Sequence, residues 1–326
     1  MSTSYANSGL GGLGGVDGVY NAKDTELELS NICNAKCPLC YRNNKDYIQK
    51  APMQRPLQDI IEQLDKFHKL ESIKLVGTIS EPTLYKDLFQ LMDYLNFRDI
   101  EIEICTNGDT NSPDWWRELG KLTKAKDKVY FTICGSTQEL HEVYRKGTNL
   151  KRIVENASAF KEGSTHKNDY AQLIRFKYND KDFNDWDIIG TVSNFSNLYW
   201  TETFLALPIE SYKNMNQELY DKLKPNTKKY LLYRQVETQA QKKALLQEHR
   251  PQCIAKEDAT NQITLQGEIL PCYLFAEAHH PETSLNKTIR RTWSYQKIEA
   301  GKYDCCKFCD KNIRGLLNTL DLRYII

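Results

Sequence analysis

Cys33, Cys37 and Cys40 fall within eight positions of "LELSNICNAKCPLCYR" (27–42), just after a run that alternates apolar and polar residues. Thiolates are soft ligands, suited to zinc and to iron–sulfur clusters. A structural zinc site takes four protein ligands, usually as spaced pairs. Here the spacings are 4 and 3 and no histidine lies within the next 20 residues, so zinc would need a distant fourth ligand. A cubane cluster takes one ligand per iron, so three cysteines hold it and leave one iron open to something that reacts. Five further cysteines, Cys253, Cys272, Cys305, Cys306 and Cys309, lie near the other end, and Cys105 and Cys134 stand alone between the two groups. Ten thiols are too few for a disulfide framework in 326 residues. Clustered thiols in a reducing compartment more often hold metal. The distribution predicts two metal sites in two parts of the chain.

The elements that must position these residues show as a rhythm from residue 25 onward. Strands are predicted at "TELELS" (25–30), "SIKLVG" (72–77), "IEICTN" (102–107), "KVYFTIC" (128–134), "AQLIRFKY" (171–178) and "NLYWTETF" (197–204). Helices are predicted between them at 56–70, 86–96, 114–122, 149–162 and 182–190, the first with Pro56 as starter and Leu57, Ile60, Ile61, Leu64 and Phe67 on one stripe. Such alternation implies parallel βαβ units, and six of them make a partial barrel or a wound open sheet. Either fold puts its chemistry at the carboxyl ends of the strands, where the cysteines and signature turns occur. Four segments are expected: a flexible Gly-rich arm (1–24), the α/β core (25–213), a charged helical connector (214–250) and a small cysteine-rich, metal-ordered domain (251–326).

Composition excludes several classes. With 44 Lys and Arg against 43 Asp and Glu, the chain has no overall basic field for a duplex or a membrane surface. No stretch approaches the ~18 consecutive apolar residues of a membrane span, and the first residues lack the order of a secretory signal. A cytoplasmic protein with neither nucleic acid nor membrane as partner is expected.

On these residues the chain resembles the radical S-adenosylmethionine enzymes. C-x3-C-x2-C is their cluster motif, and it stands here as Cys33, Cys37 and Cys40. "GTISEP" (77–82) resembles the family's glycine–glutamate–proline turn after the second strand, and "CTNG" (105–108) its turn after the third. "FTICGSTQELHEVYRKGTNLKRIVENA" (131–157) resembles the fourth-strand segment with its tyrosine–arginine–glycine. The resemblance implies a partial (β/α)6 TIM-like barrel and an open iron that binds the amino and carboxylate groups of S-adenosylmethionine. One electron, from a donor such as a flavodoxin or ferredoxin, then cleaves the cofactor to methionine and a 5′-deoxyadenosyl radical, which takes hydrogen from substrate. Carried over by motif, Gly77 and the Thr78–Ile79 backbone meet the methionine amino group. Glu81 belongs to the same turn, and Asn107 faces the nucleoside end. Thr132 matches the fourth-strand serine, and Arg145 in "YRKG" matches the arginine that pairs with the methionine carboxylate. Thr78 departs from the family, which usually has a second glycine there.

The second cysteine group contains G-x4-C (Gly267 to Cys272) and C-x2-C (Cys306, Cys309), and "QITLQGEILP" reads as a small hairpin. Spacing alone permits zinc or a 4Fe–4S cluster there. The group resembles the auxiliary domain of SPASM/twitch-type radical enzymes, which implies one auxiliary 4Fe–4S cluster on Cys253, Cys272, Cys306 and Cys309, with Cys305 able to replace Cys306. Relatives carrying this pair of domains act on peptides or on small polyols, and oxidative modification is the expected outcome. Cys134 stands where many relatives carry aspartate. As a hydrogen donor it would make the enzyme a redox-neutral epimerase; as a small apolar residue it packs, and packing is expected. A metal-ordered protein without catalysis is the rival from another class.

Overall fold

The computed structural model describes residues 20–45, 47, 50–184, 187–202, 209, 212–224 and 260–270. The first 19 residues of the Gly-rich arm, most of the connector, and Cys253, Cys272, Cys305, Cys306 and Cys309 lie outside the described residues.

Six strands follow the predicted rhythm: β1 (Asp24–Leu27), β2 (Ser72–Leu75), β3 (Glu101–Thr106), β4 (Lys128–Ile133), β5 (Asp169–Arg175) and β6 (Asn197–Glu202). Helices α1 (Leu57–Leu64), α2 (Leu88–Phe97), α3 (Pro113–Leu122), α4 (Gln138–Tyr144), α5 (Leu150–Gly163), α6 (Asp180–Asn184) and α7 (Asp187–Val192) connect them. Beyond β6 come α8 (Gln217–Lys222) and a hairpin of β7 (Thr260–Ile263) and β8 (Ile269–Leu270). The sheet order is β6-β5-β4-β3-β2-β1-β7-β8, parallel throughout except for the antiparallel β7–β8 pair.

That order decides between the two architectures. A doubly wound sheet reverses its strand order at a switch point, whereas β1 to β6 step in one direction. Right-handed crossovers that always step the same way put every helix on one face. Burial agrees: β1, β2 and β3 alternate half-buried with buried residues, so that Leu27, Ile73, Leu75, Ile102 and Ile104 pack under the helices. The other face carries Glu26, Lys74, Glu103 and Cys105, all half-buried. The result is the open arc of a partial (β/α)6 barrel with a polar concave side. Among the described residues no helix is long and apolar enough to cross a membrane.

Helix boundaries depart from expectation where side chains intervene. α1 starts after Pro56 as predicted but ends at Leu64. Arg98 donates to the carbonyls of Leu64 and Phe67, both at 2.8 Å, and so satisfies the acceptors of the helix end. The predicted 182–190 helix is two short ones, and α4, capped by the Thr137 side chain on Leu140 N, was not predicted. Helices α3 and α5 approach closely through Gly120 and Gly163. A Cβ on Gly163 would stand 1.9 Å from Arg117 O, and one on Gly120 would stand 2.3 Å from Phe160 O.

Candidate active site

The cysteine loop leaves β1 and folds against the carboxyl ends of the neighbouring strands. Asn34 Nδ2 donates to Asp109 O at 2.9 Å and Lys36 N donates to Lys146 O at 2.8 Å, tying the loop to the turns after β3 and α4. Inside it, Asn43 Nδ2 takes Cys37 O at 2.7 Å and Arg42 Nη2 takes Ala35 O at 2.6 Å. Cys37 is buried and Cys33 and Cys40 are half-buried. Burial pushes the Cys33 thiol up to about 11 and raises that of Cys37, while Arg42 lowers both and Arg145 also lowers Cys37.

The turn after β2 is shaped by its own atoms. Gly77 has φ +60, and a Cβ there would lie 2.3 Å from Ser80 O, so only glycine fits. Thr78 and Gly77 are half-buried, whereas Glu81 is buried. The Glu81 carboxylate accepts from Thr106 Oγ1 at 2.5 Å, Thr83 Oγ1 at 2.8 Å and Asn107 N at 2.8 Å. It therefore braces the second-strand turn against the third-strand turn. Desolvation raises its pKa and those hydrogen bonds oppose the shift. Asn107 in turn donates through Nδ2 to Asn34 Oδ1 at 2.8 Å and lies 3.9 Å from Cys33 Sγ. Behind it Asn156 of α5 takes the carbonyls of Gly108 and Thr110, and Trp116 of α3 also takes Thr110 O.

Arg145 follows α4 and brings Nη1 to 3.5 Å from Cys37 Sγ, while its Nε is buried without a hydrogen-bond partner among the described residues. Burial would lower its pKa, but Cys37, Cys134 and Tyr144 more than offset that and raise it. Thr132 donates to Gln172 Oε1 at 2.9 Å. Cys134 is fully buried, in a cluster with Phe176 and Leu223, and burial holds its thiol up at about 12. Its carbonyl accepts from Tyr178 Oη at 2.9 Å and Asn179 Nδ2 at 3.0 Å, so Asn179 staples the loop after β5.

The fold thus gathers Cys33, Cys37, Cys40, Asn107 and Arg145 at one end of the arc, with Gly77 and Thr78 at the adjoining turn. Three residues that the sequence reading did not assign stand among them. Arg42 lies beside all three thiols. Buried Glu28 accepts from Ser80 Oγ and from Ile79 N at 3.3 Å. Gln262 of β7 donates to Thr78 Oγ1 at 3.1 Å. The tyrosine–arginine pair beside the C-x2-C motif, "CYR", was the one local signal for Arg42; chain-distant Gln262 left none.

The donor set suits a cubane. Among the described residues no three ligand-type side chains meet around a single metal ion, yet a cubane places each thiolate on a different iron. Arg42 and Arg145 supply positive charge beside thiols that must lose protons on binding metal. The orphaned Arg145 Nε suits a carboxylate.

The ATP-dependent zinc metalloprotease FtsH of Parabacteroides distasonis is 22% identical over 220 residues, 64% of this chain and 31% of that protein. This chain lacks the zinc-protease H-E-x-x-H, because His141–Glu142 is followed by Val143, Tyr144 and Arg145. The tungsten-containing aldehyde ferredoxin oxidoreductase cofactor-modifying protein of Pyrococcus furiosus is 28% identical over 108 residues, 33% of this chain and 29% of that protein. The chain spans about a third of the length of these curated relatives. In structure it is similar to Streptococcus suis SuiB bound to S-adenosylmethionine, with a TM-score of 0.55, 16% identity, and coverage of 89% of this chain and 72% of SuiB. SuiB bound to its precursor peptide SuiA gives a TM-score of 0.54 at 17% identity, over 91% of this chain and 67% of that one. Likeness at that identity establishes the fold. The family model described as Radical SAM superfamily matches residues 27–183, which takes in the cysteine loop, both strand-end turns and Arg145.

Proposed function

We propose that the chain is a radical S-adenosylmethionine enzyme that oxidatively modifies a peptide. The observation that carries this is the three-cysteine loop tied by Asn34 and Asn107 to the third-strand turn, with Arg145 beside Cys37 and its Nε unpartnered among the described residues. Cys33, Cys37 and Cys40 would hold a 4Fe–4S cluster. When bound, that cluster supplies the electron that cleaves S-adenosylmethionine to methionine and the radical that abstracts hydrogen. Arg145 orients the methionine carboxylate through its planar fork, and the Gly77–Ile79 backbone receives the amino group. Glu81 keeps the second- and third-strand turns in register, and Asn107 joins them to the cysteine loop. Thr132 and Gln172 lie on the concave side, where the nucleoside end would rest.

The peptide is proposed from the likeness to SuiB, which has been seen with its precursor peptide. A flavodoxin or ferredoxin would be the electron donor. Cys253, Cys272, Cys309 and either Cys306 or Cys305 would hold one SPASM/twitch-type auxiliary 4Fe–4S cluster. Cys134 is assigned to packing, since it is fully buried with Phe176 and Leu223 and burial outweighs the neighbouring Arg145 in holding its thiol protonated.

The test uses anaerobically reconstituted full-length chain. Reduced protein should form 5′-deoxyadenosine from S-adenosylmethionine, and Cys37→Ala should not. Arg145→Ala should weaken cofactor binding by roughly 1.5–3 kcal/mol, the usual range for a hydrogen bond to a charged group. Cofactor affinity unchanged in Arg145→Ala would remove the carboxylate assignment. Absence of 5′-deoxyadenosine from the reduced parent protein would remove the whole reading.

A further inference from the structure

Thr78 stands where the family usually has glycine, and its hydroxyl accepts from Gln262 Nε2 at 3.1 Å. Gln262 sits on β7, in register with Glu26 of β1, so its side chain shares the concave face. It is 3% exposed, and its Oε1 is buried without a hydrogen-bond partner among the described residues. A buried amide oxygen without a donor is costly and persists where something else supplies one. Two carboxylates at this turn are committed, Glu28 to Ser80 and Ile79, and Glu81 to Thr83, Thr106 and Asn107. At this turn Gln262 Oε1 is an acceptor left over among the described residues, and the methionine end of the cofactor brings an amino group, whose N–H bonds remain donors when its nitrogen ligates iron.

We propose that Gln262 is a cofactor-binding residue. Its Oε1 accepts from an N–H of the methionine amino group of S-adenosylmethionine, while the Nε2–Thr78 hydrogen bond fixes the amide's orientation. The hairpin beyond the core thereby completes the cofactor site, and the Thr78 departure has a partner that gives it a purpose. This inference rests on the reading of the Gly77–Ile79 turn as the site of the methionine amino group.

The experiment measures equilibrium binding to anaerobically reconstituted full chain, with two probes. One is S-adenosylhomocysteine; the other is its analogue with the amine replaced by hydrogen. Gln262→Leu, which removes both amide functions, should weaken S-adenosylhomocysteine by about tenfold, the upper end for a neutral hydrogen bond. The deaminated analogue should lose less than about threefold, because the variant and the ligand change remove the same contact and their effects should not add. Gln262→Glu keeps an acceptor and should stay within about threefold of the parent for S-adenosylhomocysteine. Equal losses on both probes would make Gln262 a packing residue and overturn the proposal, as would no loss at all. A parent chain that binds neither probe would overturn the reading of the turn together with this inference.

Discussion

Glu28 is the residue whose environment departs furthest from what its position in the sequence suggests. It is the fourth residue of the first strand run, "TELELS" (25–30), just past the end of β1, and is 4% exposed. Burial raises its pKa from 4.5 to about 7, opposed by hydrogen bonds from Ser80, Ile79 and Thr78 and by the charge of Arg42. A carboxyl whose folded pKa is raised favours the folded state while it stays protonated. Its contribution is complete below the unfolded value, and stability falls as pH rises from about 4.5 through about 7. The parent should therefore lose on the order of 2–3 kcal/mol from this group across that window. Glu28→Gln, which cannot titrate, should show a flatter profile of apparent Tm between pH 5 and 8, and identical profiles would exclude the effect. Residues recognisable by local spacing, such as the three cysteines and Glu81, were legible because their motif is contiguous. Glu28 and Gln262 were not, because their partners are set by folding: 51 positions separate Glu28 from Ile79 and 184 separate Gln262 from Thr78.

At the scale of elements, the strands were legible because helices cover one face of the sheet only. That leaves an alternation of half-buried and buried residues along β1, β2 and β3, with the period of an extended chain. Helix ends were less legible, since Arg98 closes α1 from another element. The contact of α3 with α5 was invisible for the same reason: Gly120 and Gly163 look like ordinary breakers until the helices are brought together. Gly163→Ala puts a methyl where Arg117 O already stands, 1.9 Å from the new atom. Backbone cannot yield there without parting the helices, so the change should destabilise by roughly 1–3 kcal/mol, as overpacking commonly does. Because Asn156 and Trp116 of the same two helices hold the 108–110 carbonyls, the strain should also reach the third-strand turn. Thermal denaturation of the variant, with cofactor titration beside it, reads both; an unchanged apparent Tm would show that the helices separate freely.

At the scale of the whole molecule, the hairpin expected within the cysteine-rich segment adds its first strand to the core sheet. β7 lies parallel to β1, Glu28 N continues the ladder to Ile263 O at 3.0 Å, and Thr25 Oγ1 meets Asn261 Oδ1 at 2.6 Å. Gln63 of α1 donates to Gly267 O at 2.8 Å, and Leu265 packs with Tyr47 and with Ile79 of the turn after β2. Sequence reading could see the hairpin but not its destination, because parallel pairing leaves no mark on either strand's composition. A chain ended at residue 258 would leave one edge of β1 unpaired beside the cysteine loop and would uncover Ile79. It should lose apparent Tm and affinity for S-adenosylhomocysteine even though Cys33, Cys37 and Cys40 remain. Full-length chain with Cys272, Cys306 and Cys309 changed to Ala keeps the hairpin and should retain about four of the roughly eight irons expected for two cubanes. Its affinity for the analogue should fall less than that of the truncated chain. Iron analysis and titration on the two variants distinguish a hairpin that shapes the cofactor site from one that only leads to a second cluster. If the shortened chain is soluble, equally stable and binds the analogue as tightly as the parent, β7 is an appendage and the sheet is complete with six strands.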